Sequence, residues 1–307
     1  MQSYNRALSA CKMYCEKNDV PFPPHNSAHL ATYLCTIANA SLRPKSVIAT
    51  NIAALSNLYF HQNLTDITKD PCISRLITAI VKSGSLTPMR SAKVLPVNVF
   101  VNLFQTWDNN CIPISDLRLK TITLLALSLM LRPSDIAPRA KMFDFISGEE
   151  KSYLFKTDML TFSPEGVQVT FHGIKNDIDR SGFKVLLPRL EDKNLDPVEC
   201  LEVYLRRTQH LRSDGAVFLS LRKPFKAISA SAVAKVLENA ILRAGLGHMG
   251  YSAKSFRPTG ATRAIEQGIH PDIVQKMGRW KTTEVFRDHY VHARTPENFS
   301  SAIINSV

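Results

Sequence analysis

The chain has 307 residues, 45% hydrophobic and 21% charged, which is long for one average domain and too apolar for wholesale disorder. No apolar run reaches the roughly 18 residues needed to cross a bilayer, and residues 1–10 do not read as a secretory leader, because Gln2, Asn5 and Arg6 interrupt the apolar positions. Lys and Arg number 38 against 26 Asp and Glu, and the net charge of +12 favours a polyanionic partner, nucleic acid first among them. The first predicted element is a helix over residues 4–16, with Tyr4, Leu8, Cys11 and Cys15 on one face. Pro21, Pro23 and Pro24 interrupt the chain, and Asn26 or Ser27 then caps a helix over 29–40. Pro44 opens a third helix with the stripe Val47, Ile48, Ile52, Leu55, Leu58, Tyr59. Asp70 is placed to cap a fourth, running to Val81. Residues 83–94 contain Gly84, Pro88, Arg90 and Lys93 without periodicity and read as a linker. The first part is thus an all-helical bundle edged by Lys45, Lys69, Arg75 and Lys82.

A helix is expected over 96–107, and a buried one over the strongly apolar stretch 116–131. The texture then changes. Residues 151–154, 166–171 and 183–187 are short β-rich runs separated by polar turns, the pattern of a small antiparallel sheet. Helical periodicity returns over 196–210, 229–244, 255–267 and 271–277. The expected class is therefore mainly α with a small antiparallel β-sheet. Of the six cysteines, Cys11 and Cys15 lie four apart in a helical pattern and the others are scattered. None pairs with histidines at ligand spacing, so reduced thiols in an intracellular protein are expected, with neither metal nor other cofactor.

Four pieces carry candidate chemistry. Arg132 closes the apolar helix, where a cation costs desolvation unless an anion meets it, either Asp135 or a ligand. Lys175 sits in a turn between two predicted strands, a position any solvated lysine can take. Lys254 and Arg257 fall three apart and would share a helical edge, and Ala261-Thr262-Arg263 follow in the same helix. Gly278-Arg279-Trp280 ends a helix and is followed by Phe286, His289 and Tyr290. Each is bland alone: a charged face, a helix stop, aromatics in a core.

Their order is the specific signal. Arginine, a lysine between strands, a basic residue three before a second arginine, glycine-basic-tryptophan, then tyrosine resembles the tyrosine recombinase, or integrase, family. The resemblance spans about residues 94–293, and the texture around residues 278–281 looks closest to mobile-element recombinases of the DIRS and crypton type. It implies a core-binding domain over 1–83, a linker over 84–94, a catalytic domain over 95–293 and a tail over 294–307. The tail's Phe299, Ala302, Ile303 and Ile304 would fold back or dock on another protomer. By the same resemblance Arg132 and Arg257 bind the scissile phosphate, Lys175 protonates the leaving 5′-oxygen, and Tyr290 attacks to form a 3′-phosphotyrosine. The implied partners are double-stranded DNA and three further copies of the chain in a synapse; the implied compartment is intracellular, the nucleus in a eukaryote.

Two positions depart from the family pattern. Lys254 stands where histidine is usual, although type IB topoisomerases, which share the chemistry, carry lysine there. The histidine or tryptophan after the glycine corresponds to Arg279, or to Trp280 if the register shifts by one. The residue types suit phosphoryl transfer without a metal. Fixed cations offset the charge that builds in the transition state, and they lower the cost of ionising a tyrosine (ordinary pKa ~10). Relaxation of DNA by a topoisomerase-like monomer, and a domesticated DNA-binding module without activity, are the competing readings.

Overall fold

The computed structural model describes residues 2–41, 44–83, 93–137, 142–144, 149–151, 155–172, 182–213, 215–283 and 286–287. Residues 84–92 of the expected linker over 84–94, Lys175, His289, Tyr290 and the tail lie outside the described residues. The chain divides into two compact units, Met1–Arg90 and Ser91–Val307.

The first unit is built of α1 (Gln2–Lys17), α2 (Ser27–Asn39), α3 (Pro44–His61) and α4 (Pro71–Ser83), with a 3-10 turn at Ile67–Lys69. The caps are those the sequence suggests. The Asn26 side chain accepts the His29 N–H at 2.9 Å, and Asp70 accepts the Cys72 N–H at 2.7 Å. Ser27 Oγ donates to the other Asp70 oxygen at 2.5 Å, tying the start of α2 to the start of α4. The core joins Cys11 and Cys15 to Leu30, Tyr33, Leu34, Ile48, Leu55, Tyr59 and Ile73. Burial pushes the Cys11 thiol up to about 12, so it stays protonated and packs as a small apolar group. The two buried tyrosines keep their hydroxyls satisfied, Tyr33 on Asn51 at 2.6 Å and Tyr59 on the Pro24 carbonyl at 2.7 Å. Because α4 turns Ile73 inward, Ser74, Arg75, Thr78, Ala79 and Lys82 face out and line a shallow depression of about 400 Å³.

In the second unit, α5 (Val97–Gln105) leads to α6 (Ile114–Ser128), which is the central helix. Leu117, Leu119, Ile122, Leu125 and Ala126 are buried on it, as are Lys120, Thr121 and Thr123. A helix apolar all round must be covered on all sides, and α8 (Pro197–Arg207), α9 (Ala230–Arg243) and α10 (Phe256–Glu266) pack around it. Its buried polar groups are answered locally. Lys120 Nζ donates to the Trp107 carbonyl at 2.5 Å and to Asn109 Oδ1 at 2.8 Å, and the Thr121 and Thr123 hydroxyls bond backbone carbonyls one turn back at 2.7 Å each.

A three-stranded antiparallel sheet, β3 (Leu160–Ser163), β4 (Gly166–Phe171) and β5 (Phe183–Pro188), adds its inner face to this core through Val167, Val169, Phe171, Val185 and Leu187. The expected strands over 166–171 and 183–187 are present. The structure adds β3, and it adds a separate two-stranded hairpin, β1 (Met142–Asp144) with β2 (Glu149–Lys151). The expected run over 151–154 is described only at Lys151, in β2. The short α7 (Pro133–Ile136) follows α6, and α11 (Pro271–Gly278) follows α10. Among the described residues, no helix is long and apolar enough to cross a membrane.

Candidate functional site

The site is assembled on the turn that ends α6. Helix ends leave backbone carbonyls without intrahelical partners, and those carbonyls carry partial negative charge. Here two arginines from far along the chain meet them. Arg257 Nη1 donates to the Met130 carbonyl at 2.5 Å, and Arg279 Nη2 to the Leu129 carbonyl at 3.3 Å. Met130 itself takes a left-handed backbone (φ 50°), which reverses the chain into Arg132. Arg132 is the N-cap of α7 and Pro133 its first residue. The Arg132 N–H donates to Asp135 Oδ2 at 2.9 Å, and the Asp135 N–H returns a bond to the Arg132 carbonyl at 2.8 Å.

Arg257 reaches this turn because α10 lies hard against α6. Gly260, one turn along from Arg257, faces the α6 backbone; a Cβ there would sit 2.4 Å from the Leu127 carbonyl oxygen. Arg257 is only 3% exposed. Its second terminal nitrogen donates to the Gly278 carbonyl, and its guanidinium carbon stands 4.2 Å from the Trp280 ring centroid. It thereby joins the carboxyl ends of α6 and α11.

The end of α11 has an unusual cap. The Arg279 N–H bonds the Lys276 carbonyl at 3.0 Å and the Trp280 N–H the Gln275 carbonyl at 3.1 Å, the two bonds of a Schellman cap. Arg279, not Gly278, is the left-handed residue (φ 60°, ψ 44°). Such a backbone costs a non-glycine residue about 1 kcal/mol or more. Gly278 is needed for another reason: a Cβ there would fall 1.6 Å from the Trp280 ring. The turn sends both following side chains inward. Trp280 packs on Phe286 at 4.9 Å within a small cluster that includes Met130, Ala261 and Val274. Arg279 Nη2 lies 3.6 Å from the fully buried Asp135 carboxylate, and its guanidinium stands 4.9 Å from the Phe171 ring and 5.8 Å from Phe183.

Arg132, Asp135, Arg257 and Arg279 thus converge although 147 positions separate the first from the last. The Arg257 and Arg279 guanidiniums against one carboxylate leave an excess of positive charge beside the turn that carries Arg132, suited to a phosphate. The sequence reading needs one correction. Lys254 and Arg257 do not share a helical edge: Lys254 lies in the 3-10 turn Ala253–Ser255 before α10 and is exposed, whereas Arg257 is the second residue of α10 and buried. The residues before the helix do not continue its 3.6-residue period: Ser252 starts a tighter turn, its hydroxyl accepting the Lys254 N–H at 3.3 Å. Asp135, one of the two partners considered for Arg132, accepts that residue's backbone N–H and pairs with Arg279. Lys175 and Tyr290 lie outside the described residues. Sequence reasoning assigned no role to Phe171 and Phe183. The available signal was an aromatic at each end of the strands that flank Lys175.

No family model matches the chain, and no curated protein matches it. Solved structures do. The XerH site-specific recombinase bound to a palindromic difH substrate, a post-cleavage complex, aligns with a TM-score of 0.65 at 15% identity over 100% of this chain and 80% of that one. A lambda integrase tetramer bound to a Holliday junction gives 0.54 at 14% identity over 95% and 72%. The Tn1549 transposon integrase (aa 82–397) in complex with circular intermediate DNA gives 0.53 at 13% identity over 92% and 86%. The class this defines is one of fold: a mainly helical chain with a small antiparallel sheet, matching the core-binding and catalytic domains of tyrosine recombinases along its whole length.

Proposed function

We propose that this protein cleaves and rejoins DNA strands as a tyrosine recombinase, without metal or ATP. The observation that carries the reading is the convergence of Arg132, Arg257 and Arg279 on the turn after α6, in a fold shared with XerH and lambda integrase. In this reading residues 1–83 form the core-binding domain and residues 95–293 the catalytic domain. Arg132 and Arg257 bind the non-bridging oxygens of the scissile phosphate, Lys254 adds a third cation from its exposed turn, and Arg279 stands behind them on Asp135 and the Leu129 carbonyl. Tyr290 gives its phenolic proton to water and its oxygen attacks phosphorus, the bond to the 5′-oxygen breaks, and Lys175 supplies the proton to that oxygen. The energy of the broken linkage is kept in the 3′-phosphotyrosine, and the freed 5′-hydroxyl of a partner strand reverses the step.

The lambda integrase tetramer on a Holliday junction supports a synapse of four protomers here as well. The narrower resemblance to DIRS-type and crypton elements, and with it a role in mobile-element integration, rests on residues 278–281 alone. Lys254 favours a second reading, nicking and religation by a monomer as in type IB topoisomerases.

The test is a nicked suicide duplex from which the cleaved product diffuses away, so that a covalent protein–DNA adduct accumulates. Tyr290→Phe is expected to bind this DNA as wild type does and to form no adduct. Arg132→Ala and Arg257→Ala are each expected to slow adduct formation by about 100-fold or more, as loss of a transition-state donor does. An adduct that persists in Tyr290→Phe moves the nucleophile elsewhere. Relaxation of supercoiled plasmid by monomers, without exchange between two sites, selects the second reading.

A further inference from the structure

We infer that Arg279 is a positioning residue for the hairpin that carries Lys175, and that it acts through the aromatic pair at the hairpin neck. Phe171 and Phe183 are the last directly opposed residues of β4 and β5, so together they close the ladder below the connection 172–182. Arg279 stands on this pair, 4.9 Å from one ring and 5.8 Å from the other. The same guanidinium is held from the other side by the Asp135 carboxylate at 3.6 Å and the Leu129 carbonyl at 3.3 Å. Both of those groups belong to the turn that presents Arg132.

Arg279 therefore spans two chemical parts: the phosphate-binding arginine turn and the base of the proton-donating hairpin. A planar guanidinium suits this place, because its face lies on rings while its edge donates to oxygens. An imidazole is shorter and has two ring nitrogens instead of five donors. The left-handed backbone that aims Arg279 inward carries a conformational cost, which the ion pair and ring contacts offset. With the side chain 4% exposed and the carboxylate against it, Arg279 is placed to hold the end of the β4–β5 ladder from which the segment bearing Lys175 departs. This assignment rests on the reading of Lys175 as general acid, and it places Arg279 in the scaffold beneath the cations that touch phosphate.

Single-turnover cleavage of the suicide duplex tests it, with either oxygen or sulfur bridging to the 5′-carbon at the scissile phosphate. A thiolate leaves without a proton, so a defect that lies only in proton donation disappears with sulfur. Arg279→Ala is expected to slow cleavage of the oxygen substrate by about 100-fold, the scale of a misplaced general acid, and to cleave the sulfur substrate about as fast as wild type. Added to Lys175→Ala, Arg279→Ala should cost nothing further, because both act on one step. Phe171→Leu with Phe183→Leu should reproduce part of the loss, about tenfold, and Arg279→Lys should restore part of it. A defect equal on both substrates and multiplying with Lys175→Ala overturns the inference and places Arg279 on the phosphate.

A second measurement needs no activity. In the DNA-free protein, hydrogen exchange of the amides in 172–182 should quicken in Arg279→Ala, while α8 and α9 keep wild-type protection. Unchanged exchange in that hairpin overturns the inference. If wild type makes no adduct on either DNA, the recombinase reading fails, and hydrogen exchange still decides the tether.

Discussion

Trp280 and Gly278 form the tightest pair in the candidate site. The three atoms nearest a Cβ at Gly278 all belong to the Trp280 ring, so the penalty for a side chain there is carried by one neighbour. Gly278→Ala is expected to lower the urea midpoint in wild type. In a Trp280→Ala background it should be neutral or mildly stabilising, since alanine is the better helix former by about 1 kcal/mol. Trp280→Ala alone removes the largest ring of its small core cluster and should cost about 3–5 kcal/mol. Its main effect is on stability, with Arg279→Ala the more damaging to cleavage. A large Gly278→Ala cost that persists without Trp280 would mean that the helix end, not the ring, forbids the side chain.

At the scale of elements, the caps of the first unit carry a pH dependence. Asp66 is pushed up by partial burial, but hydrogen bonds from Thr68 and Ser56 and the nearby Lys69 outweigh this and hold it below the usual carboxylate range. Asp70 is held low by the Ser27 hydroxyl and the Cys72 N–H. A depressed native pKa means that the stabilisation is complete above the unfolded value, ~3.9, and is lost as pH falls through the native value. Wild type should therefore lose stability progressively below about pH 4. Asp66→Asn with Asp70→Asn should be weaker at neutral pH and show a flatter acid limb. The urea midpoint of the first unit against pH reads this, and a gap between the two proteins that stays constant to the lowest pH would contradict it. In the second unit the chain at residues 93–95 is pinned. Lys93 Nζ donates to the Met249 carbonyl at 2.6 Å, and the Leu95 N–H to Thr259 Oγ1 at 2.8 Å, in the same helix as Arg257.

For the whole molecule, the net charge of +12 and the outward Arg75 and Lys82 of α4 set the expected mode of DNA binding. Each phosphate contact contributes about 0.9 to the slope of log affinity against log salt on duplex DNA. The affinity should fall steeply with salt, and Arg75→Ala and Lys82→Ala should each reduce the slope by about 1 if that helix face lies on the backbone. A nearly flat slope would remove nucleic acid as the partner.

Most of the helices were legible because their causes are local. Asn26, Asp70, Asp196 and Ser229 cap where capping residues precede periodic stripes, and each accepts a backbone N–H in the structure. Strands β4 and β5 were legible from β-rich runs between turns. Strand β3 and the β1–β2 hairpin were not, since strands of three or four residues carry too little alternation to register. The order of basic residues and tyrosine, a property of sequence alone, pointed to the chemistry that would use them. Only the tertiary structure decided which cation stands where. Arg257 is buried because Gly260 lets α10 approach α6, and Lys254 is exposed because a 3-10 turn precedes the helix. Arg279 meets Phe171, Phe183 and Asp135 through a left-handed cap where glycine would be expected. These contacts join residues tens to well over a hundred positions apart. Their free energy depends on packing distances, and no local propensity encodes those.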